Sequence, residues 1–150
     1  MESAPVIIAG GGIGGLTLAL ALARQGIAAR VRDGAPALAE IGAGLQLSPN
    51  ACRILDRLGL GPALDAISVE PAWLRMCDRR TGEAIASLPL GTARRRWGAA
   101  YRLVHRADLH AALCSAATAA GAEISLSHEV TGFTLDARGE TRFRILNRWV

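Results

Sequence analysis

Three glycines near the N-terminus have the spacing needed to bind a diphosphate. Gly10, Gly12 and Gly15 follow the pattern GxGxxG. The first glycine permits a tight turn out of a strand, the second lets the backbone approach a pyrophosphate, and the third lets the next helix pack closely. Free N–H groups at the start of that helix bind phosphate oxygens. The spacing predicts a dinucleotide-binding turn, and the alternative is a tight turn that holds no ligand.

An acidic residue stands at the distance that such a turn requires. Asp33 lies 18 residues after Gly15, and a carboxylate about 20 residues past the turn accepts a hydrogen bond from a ribose hydroxyl. The alternative is an aspartate in a surface turn. NAD and FAD share the adenosine diphosphate half, so these residues do not separate them. NADP is less favoured because a carboxylate repels its 2′-phosphate, although Arg30 and Arg32 keep it open.

The segments around the turn predict the βαβ unit that positions it. Val6–Ala9 is apolar and rich in β-branched residues, as buried parallel strands are. Residues 16–25 are rich in leucine and alanine and predict a helix that ends at Gly26. A second strand is expected over 28–32. The crossover between the two strands should be right-handed.

The rest of the chain predicts an α/β fold with a three-stranded parallel sheet and added β-hairpins. Residues 34–47, with their proline and glycines, indicate mostly loop, and Ser48 and Pro49 begin a helix that runs to Leu58. The other elements are expected as strands at 74–78 and 83–88, a helix over 107–120, a third parallel strand at 123–126, and a hairpin of 128–135 and 141–146 around 136–139.

Two further segments resemble a known family. Residues 41–51, IGAGLQLSPNA, resemble the GAGIQLSPNA segment of class A flavoprotein monooxygenases, the group of the salicylate and hydroxybenzoate hydroxylases. Residues 105–109, HRADL, resemble a segment that opens a helix in that family. The order of the motifs agrees across essentially the whole chain. The resemblance implies a Rossmann-like FAD fold of the glutathione reductase type, with FAD as cofactor.

The resemblance also implies roles for individual residues. Asp33, where the family more often has Glu, would bind the adenosine ribose, and Arg106 would lie near the ribityl–phosphate linkage. Gln46 would lie near the isoalloxazine and the substrate, where some relatives carry a catalytic histidine; glutamine cannot act as a base. The backbone of Val130 would meet the adenine. The residues implied to hold the pyrophosphate are Gly10, Gly12, Gly14 and Gly15.

The implied activity is hydroxylation of a small aromatic substrate, with NADH or NADPH as reductant and O2 as oxidant. No residue of the chain is assigned as catalytic. Residues 1–150 are expected to form the N-terminal part of the FAD-binding domain, without the later FAD-binding segments and most of the substrate domain, and to be inactive alone. Trp73, Trp97 and Tyr101 are expected to be packing residues, and Trp97 or Tyr101 is a candidate to border the substrate.

Composition narrows the class of protein. The net charge of +4 is too small and scattered to indicate nucleic-acid binding, and its densest run, Arg94 to Arg96, is expected in a solvated loop. Cys52, Cys77 and Cys114 are widely spaced, which predicts buried or half-buried free thiols and no metal site. Five glycines interrupt the apolar run of 6–22, so no membrane span is expected. A cytoplasmic location is expected.

The sequence is also compatible with two other functions. One is an NAD(P)-dependent dehydrogenase domain, since the glycine turn serves both cofactors. The other is a non-catalytic remnant that binds a nucleotide or merely folds. The sequence leaves the oligomeric state undetermined.

Overall fold

The computed structural model describes residues 4–37, 42–135, 141–145 and 148–149. The chain divides into two compact units. The first contains residues 1–40 and 110–150, and the second contains residues 41–109. The boundary falls inside one helix, α5 (Arg106–Ala119).

A parallel three-stranded sheet organises the first unit. It contains, in the order β1-β2-β8, the strands β1 (Val6–Ala9), β2 (Ala29–Arg32) and β8 (Glu123–Ser125). Helix α1 (Ile13–Arg24) connects β1 to β2 and buries Leu16 and Leu20 completely. Strands β1 and β2 pair in parallel, which requires a crossover connection, and helix α1 supplies it. This arrangement confirms the predicted βαβ unit.

Helix α1 begins three residues earlier than the sequence indicated. The prediction was 16–25, whereas the helix starts at Ile13 and includes Gly14 and Gly15. Glycine is a poor helix former in general. Here the first turn packs directly against the end of β1, and that contact outweighs the low helix propensity.

An antiparallel sheet completes the described part of the first unit. Its order is β11-β10-β9, with β9 at Val130–Leu135, β10 at Thr141–Ile145 and β11 at Arg148–Trp149. The predicted pairing of β9 with β10 is confirmed by the register Phe143↔Phe133. The predicted turn at 136–139 and Leu146 lie outside the described residues.

The second unit joins a small antiparallel sheet to three helices and a hairpin. The sheet has the order β3-β7-β4. Its strands are β3 (Gly44–Leu47), β4 (Ser68–Val69) and β7 (Arg102–His105). The helices are α2 (Pro49–Arg57), α3 (Gly61–Ile67) and α4 (Ala93–Trp97), and the hairpin pairs β5 (Trp73–Cys77) with β6 (Ala84–Pro89). Helix α2 follows Ser48 as its N-cap, as predicted.

One loop prediction was incomplete and a second was wrong. The prediction of mostly loop over 34–47 holds for 34–37 and 42–43, but residues 44–47 form strand β3, which pairs with β7. A strand of four residues carries too short a pattern to be recognised without its partner. Arg94 to Arg96 lie in helix α4, which buries Ala93. The Arg53 guanidinium donates a hydrogen bond to the Trp97 carbonyl at the end of α4, 2.8 Å away, so tertiary contacts stabilise this helix.

The hairpin β5–β6 is exposed along its whole length. Trp73 is 52% exposed and has the Arg75 guanidinium 5.8 Å from its ring centre, so it is not the packing residue that we expected. Cys77 is also exposed, contrary to the prediction of buried or half-buried thiols, whereas Cys52 is buried and Cys114 is half-buried. Burial raises the pKa of the Cys52 thiol.

Candidate dinucleotide-binding site

The glycine turn of the first unit is closed on one side and open on the other. Gly10 leaves β1 with φ of +103°, which favours glycine, and its N–H donates to the Arg32 carbonyl at 2.8 Å. A Cβ at Gly15 would lie 2.0 Å from the Gly10 carbonyl oxygen. No described atom lies within 4 Å of a Cβ built at Gly10, Gly12 or Gly14. The turn therefore packs tightly onto the helix through Gly15 and leaves space beside the other three glycines.

The start of helix α1 offers hydrogen-bond donors to that space. Gly12 is the N-cap, and the first helical bond runs from Leu16 N–H to the Gly12 carbonyl at 2.9 Å. The amides of residues 13–15 therefore have no partner within the helix, and among the described residues no side chain caps them. Such donors at the positive end of a helix dipole fit an anion. The geometry thus suits the pyrophosphate of a dinucleotide.

Asp33 is tied to the glycine turn by hydrogen bonds. Its Oδ2 accepts from the Gly11 N–H at 2.6 Å, and its Oδ1 accepts from the Ala35 N–H at 2.8 Å. A carboxylate has about four acceptor positions, so these two bonds leave capacity for a ribose hydroxyl. The structure brings Asp33 and the glycine turn together, as their spacing in the sequence predicted.

Both arginines that flank Asp33 pair with the same carboxylate. Arg30 Nε lies 2.9 Å from Glu123 Oε2, and Arg32 Nη1 lies 2.9 Å from Glu123 Oε1. The hydrogen bond from Arg32 lowers the pKa of the Glu123 carboxyl. Each guanidinium is thus already engaged across β2 and β8, which weakens the case for arginine recognition of a 2′-phosphate.

The main chain also brings Val130 towards Asp33. The His128 N–H donates to the Asp33 carbonyl at 2.7 Å. A Cβ built at Gly34 would lie 3.1 Å from Glu129 Cβ, so these two segments pack closely. Val130 follows at the start of β9 and is half-buried. Its role towards an adenine remains a prediction.

Gln46 and Arg106 both belong to the second unit. Gln46 lies on β3 and is exposed, and Tyr101 donates its hydroxyl hydrogen to Gln46 Oε1 at 2.6 Å. Arg106 begins α5, and its side-chain stem packs on Gly42, where a Cβ would lie 2.9 Å from Arg106 Cδ. The two family-like segments therefore meet within this unit. Contact of either residue with a cofactor remains a prediction.

A cavity of about 360 Å³ lies in the second unit. Trp97 and Tyr101, the two candidates to border a substrate, both line it. The other lining residues are Ser48, Pro49, Asn50, Arg53, Leu88 and Leu90. The volume falls in the range of small-molecule sites.

His110 is a residue at the glycine turn that the sequence reasoning missed. It is buried on α5 within the first unit, and its Nε2 lies 2.7 Å from the Gly11 carbonyl oxygen. A single histidine in a helix rich in alanine and leucine gave no pattern from which this contact could be inferred.

The described part of the chain has neither a metal-binding cluster nor a membrane-spanning helix. Its residues include no group of three or more His, Cys, Asp or Glu side chains arranged to hold a metal ion. Its helices include none with the length and hydropathy needed to cross a membrane.

The parallel sheet, the glycine turn and the tethered aspartate define a dinucleotide-binding protein of the α/β class. Comparison with protein families specifies the class further. Residues 3–147 match the model of the FAD binding domain, so the chain belongs to this family. The match confirms the family and the FAD cofactor that the resemblance of residues 41–51 and 105–109 implied.

Curated relatives carry names of aromatic hydroxylases. The chain is 43% identical over 118 residues to a 3-hydroxybenzoate 6-hydroxylase of Polaromonas naphthalenivorans (strain CJ2), which covers 78% of this chain and 30% of the relative. It is 36% identical over 116 residues to a 6-hydroxynicotinate 3-monooxygenase of Pseudomonas fluorescens, covering 77% of this chain and 30% of the relative. The chain thus spans about a third of the length of these relatives.

Solved structures agree on the fold. The tetrameric form of 2-methyl-3-hydroxypyridine-5-carboxylic acid oxygenase is 27% identical with a TM-score of 0.77, over 94% of this chain and 37% of the other. The flavin-dependent monooxygenase PieE, in complex with FAD and substrate, is 25% identical with a TM-score of 0.78, over 96% of this chain and 27% of the other. These similarities confirm the predicted fold class.

Proposed function

We propose that the chain is the FAD-binding portion of a flavin-dependent monooxygenase that hydroxylates a small aromatic compound, with NADH or NADPH and O2 as co-substrates. The observation that carries the proposal is the glycine turn, which leaves open space beside Gly10, Gly12 and Gly14 at the start of a helix whose first amides have no intrahelical partner. The names of the relatives supply the reaction class and the aromatic substrate. Because the chain spans about a third of these relatives, the reaction belongs to the whole protein.

The proposed contacts are those that the family resemblance implies, and the geometry of the glycine turn and of Asp33 supports the first two. The amides of residues 12–15 would bind the diphosphate, and the Asp33 carboxylate would accept a hydrogen bond from the adenosine ribose. The backbone of Val130 would meet the adenine. Bound FAD would supply the redox chemistry that uses O2, which no side chain of the chain can supply.

In the second unit, the proposed roles concern the flavin end of the cofactor. Tyr101 donates to Gln46 Oε1, so the Gln46 amide nitrogen keeps its two N–H donors for a flavin or substrate acceptor. Arg106 would bind near the ribityl–phosphate linkage through charge-assisted hydrogen bonds. Gln46 cannot take up a proton in the relevant pH range, so it would orient a ligand and not act as a base.

Substitution of Gly12 by alanine tests the proposal. Gly12 has φ of −72°, which alanine adopts readily, and its Cβ would meet no described atom within 4 Å. We expect the free energy of unfolding of Gly12→Ala to lie within about 1 kcal/mol of the wild-type value, because substitutions at an N-cap have effects of that size. In the complex the new methyl group would meet the diphosphate, so the FAD dissociation constant should rise at least about tenfold. Flavin fluorescence titration and thermal unfolding measure the two quantities.

The matched control is Gly91→Ala, which also places a methyl group in open space but lies outside the glycine turn. It should bind FAD as the wild type does. Binding of NAD in preference to FAD would instead support the dehydrogenase, and failure to bind any dinucleotide would support a non-catalytic remnant. Oxidation of NAD(P)H by the whole protein, dependent on a hydroxybenzoate, tests the reaction itself.

A further inference from the structure

A buried histidine contacts the glycine turn, and the roles proposed above do not use it. His110 is 4% exposed, and its Nε2 lies 2.7 Å from the Gly11 carbonyl oxygen. A carbonyl oxygen only accepts hydrogen bonds, so Nε2 must carry the proton and donate it. The imidazole therefore fixes the direction of the Gly11 carbonyl.

Peptide geometry transmits this constraint to the next amide. The peptide bond between Gly11 and Gly12 is planar and trans, so its N–H points opposite to its C=O. With the carbonyl directed at His110, the Gly12 N–H points away from the imidazole. No acceptor for that N–H is found among the described residues.

The other side of Gly11 is fixed as well. Its N–H donates to Asp33 Oδ2 at 2.6 Å, so both peptide planes of this residue are held by side chains. Glycine itself restricts its backbone dihedral angles very little. Without the bond from His110, the Gly11–Gly12 peptide is free to rotate and to turn its carbonyl oxygen, the negative end of the dipole, towards the phosphates.

We infer that His110 is a positioning residue of the diphosphate site, which holds the Gly11 carbonyl so that the Gly12 N–H faces a phosphate oxygen. The inference rests on the proposed function, because the diphosphate in question is that of FAD. His110 touches the turn and not the ligand, so its effect on binding acts through the orientation of one peptide.

Two substitutions at His110 separate hydrogen bonding from packing. His110→Leu fills space without a donor, and we expect the FAD dissociation constant to rise about tenfold, as for the loss of one hydrogen bond. His110→Gln supplies an amide N–H at similar reach, and its dissociation constant should stay within about threefold of the wild type. Flavin fluorescence titration gives the constants, and thermal unfolding gives the stability of each variant.

The control for packing is Leu113→Val, which alters another fully buried side chain of α5. It should lower the Tm while leaving FAD binding near that of the wild type. If it weakens binding as much as His110→Leu does, or if His110→Gln and His110→Leu weaken binding equally, the inference is overturned.

A second measurement needs no FAD. Nitrogen-15 NMR of the ligand-free chain should show the His110 proton on Nε2. A proton on Nδ1 instead would overturn the inference.

Titration with ADP distinguishes this inference from the proposed function. If the variants rank as expected with ADP but the wild type does not bind FAD, only the proposed function fails. If FAD binds to the wild type and to all variants equally, only the inference about His110 fails.

Discussion

Gly15 has no room for a side chain, whereas Gly14, its neighbour in the same helical turn, does. A Cβ at Gly15 would lie 2.0 Å from a backbone oxygen and 3.3 Å from the Ile8 side chain, while one at Gly14 would meet nothing within 4 Å. A backbone oxygen cannot move aside as a flexible side chain can. The two positions therefore serve different purposes: Gly15 permits close packing and Gly14 leaves space.

This difference predicts opposite effects on stability. We expect Gly15→Ala to lower the free energy of unfolding by at least about 2 kcal/mol, because overpacking forces the helix away from the strand. Gly14→Ala should raise it by about 0.5–1 kcal/mol, because alanine is the better helix former. Chemical denaturation of the ligand-free variants measures both, and equal effects at the two positions would contradict this account of the turn.

At the scale of elements, an ion-pair cluster joins β2 to β8. The Glu123 carboxylate accepts from both Arg30 and Arg32, one on each side of Val31 in the sequence, and the Arg32 guanidinium also contacts the Ser125 hydroxyl. These residues are partly exposed, so each pair is worth little on its own. The cluster supports the register in which β2 pairs with β8, where Arg30 lies opposite Glu123 and Arg32 lies opposite Ser125. Asp33 follows directly after β2.

The lowered pKa of Glu123 makes the stability of this sheet depend on pH. A carboxyl whose pKa is lower in the folded chain stabilises the fold at pH values above its ordinary pKa of about 4.3. This contribution to stability is lost as the pH falls through the pKa that the carboxyl has in the folded chain. We expect Glu123→Gln to lower the Tm at pH 6 and to have progressively less effect below about pH 4. Glu83→Gln, in an exposed segment before β6, is the matched control. A Tm difference that persists unchanged at pH 3 would contradict the cluster.

At the scale of the whole molecule, the hairpin β5–β6 exposes several large apolar side chains. Met76 is 64% exposed and Ile85 is 66% exposed, and among the described residues no third strand pairs with the hairpin. Exposed apolar patches and unpaired strand edges favour association.

We expect the chain to self-associate through this hairpin. Ile85→Lys should raise the dissociation constant about tenfold, since it removes one large apolar side chain from the contact. Ser87→Lys adds the same charge to the same strand without that loss and should have a smaller effect. Sedimentation velocity over a range of concentrations measures both, and a wild-type chain that stays monomeric throughout would refute the prediction.

Local patterns alone determined the part of the fold that holds the glycine turn. Residues 6–33 contain the strand Val6–Ala9, the glycines and Asp33. A diphosphate site requires particular residue types at fixed spacings within this short range, so the sequence pattern shows it directly. The parallel core, helix α2 and the hairpin β5–β6 were predicted for the same reason, since each depends on its own periodicity and end residues.

Only the tertiary structure decided the features that depend on distant partners. Strand β3 exists because β7 pairs with it, and helix α4 exists because Ala93 is buried and Arg53 binds its last carbonyl. The contact of His110 with Gly11 joins residues 99 positions apart. A residue type and its neighbours in sequence carry no information about such a partner, because burial and hydrogen bonding are set by what the folded chain brings alongside.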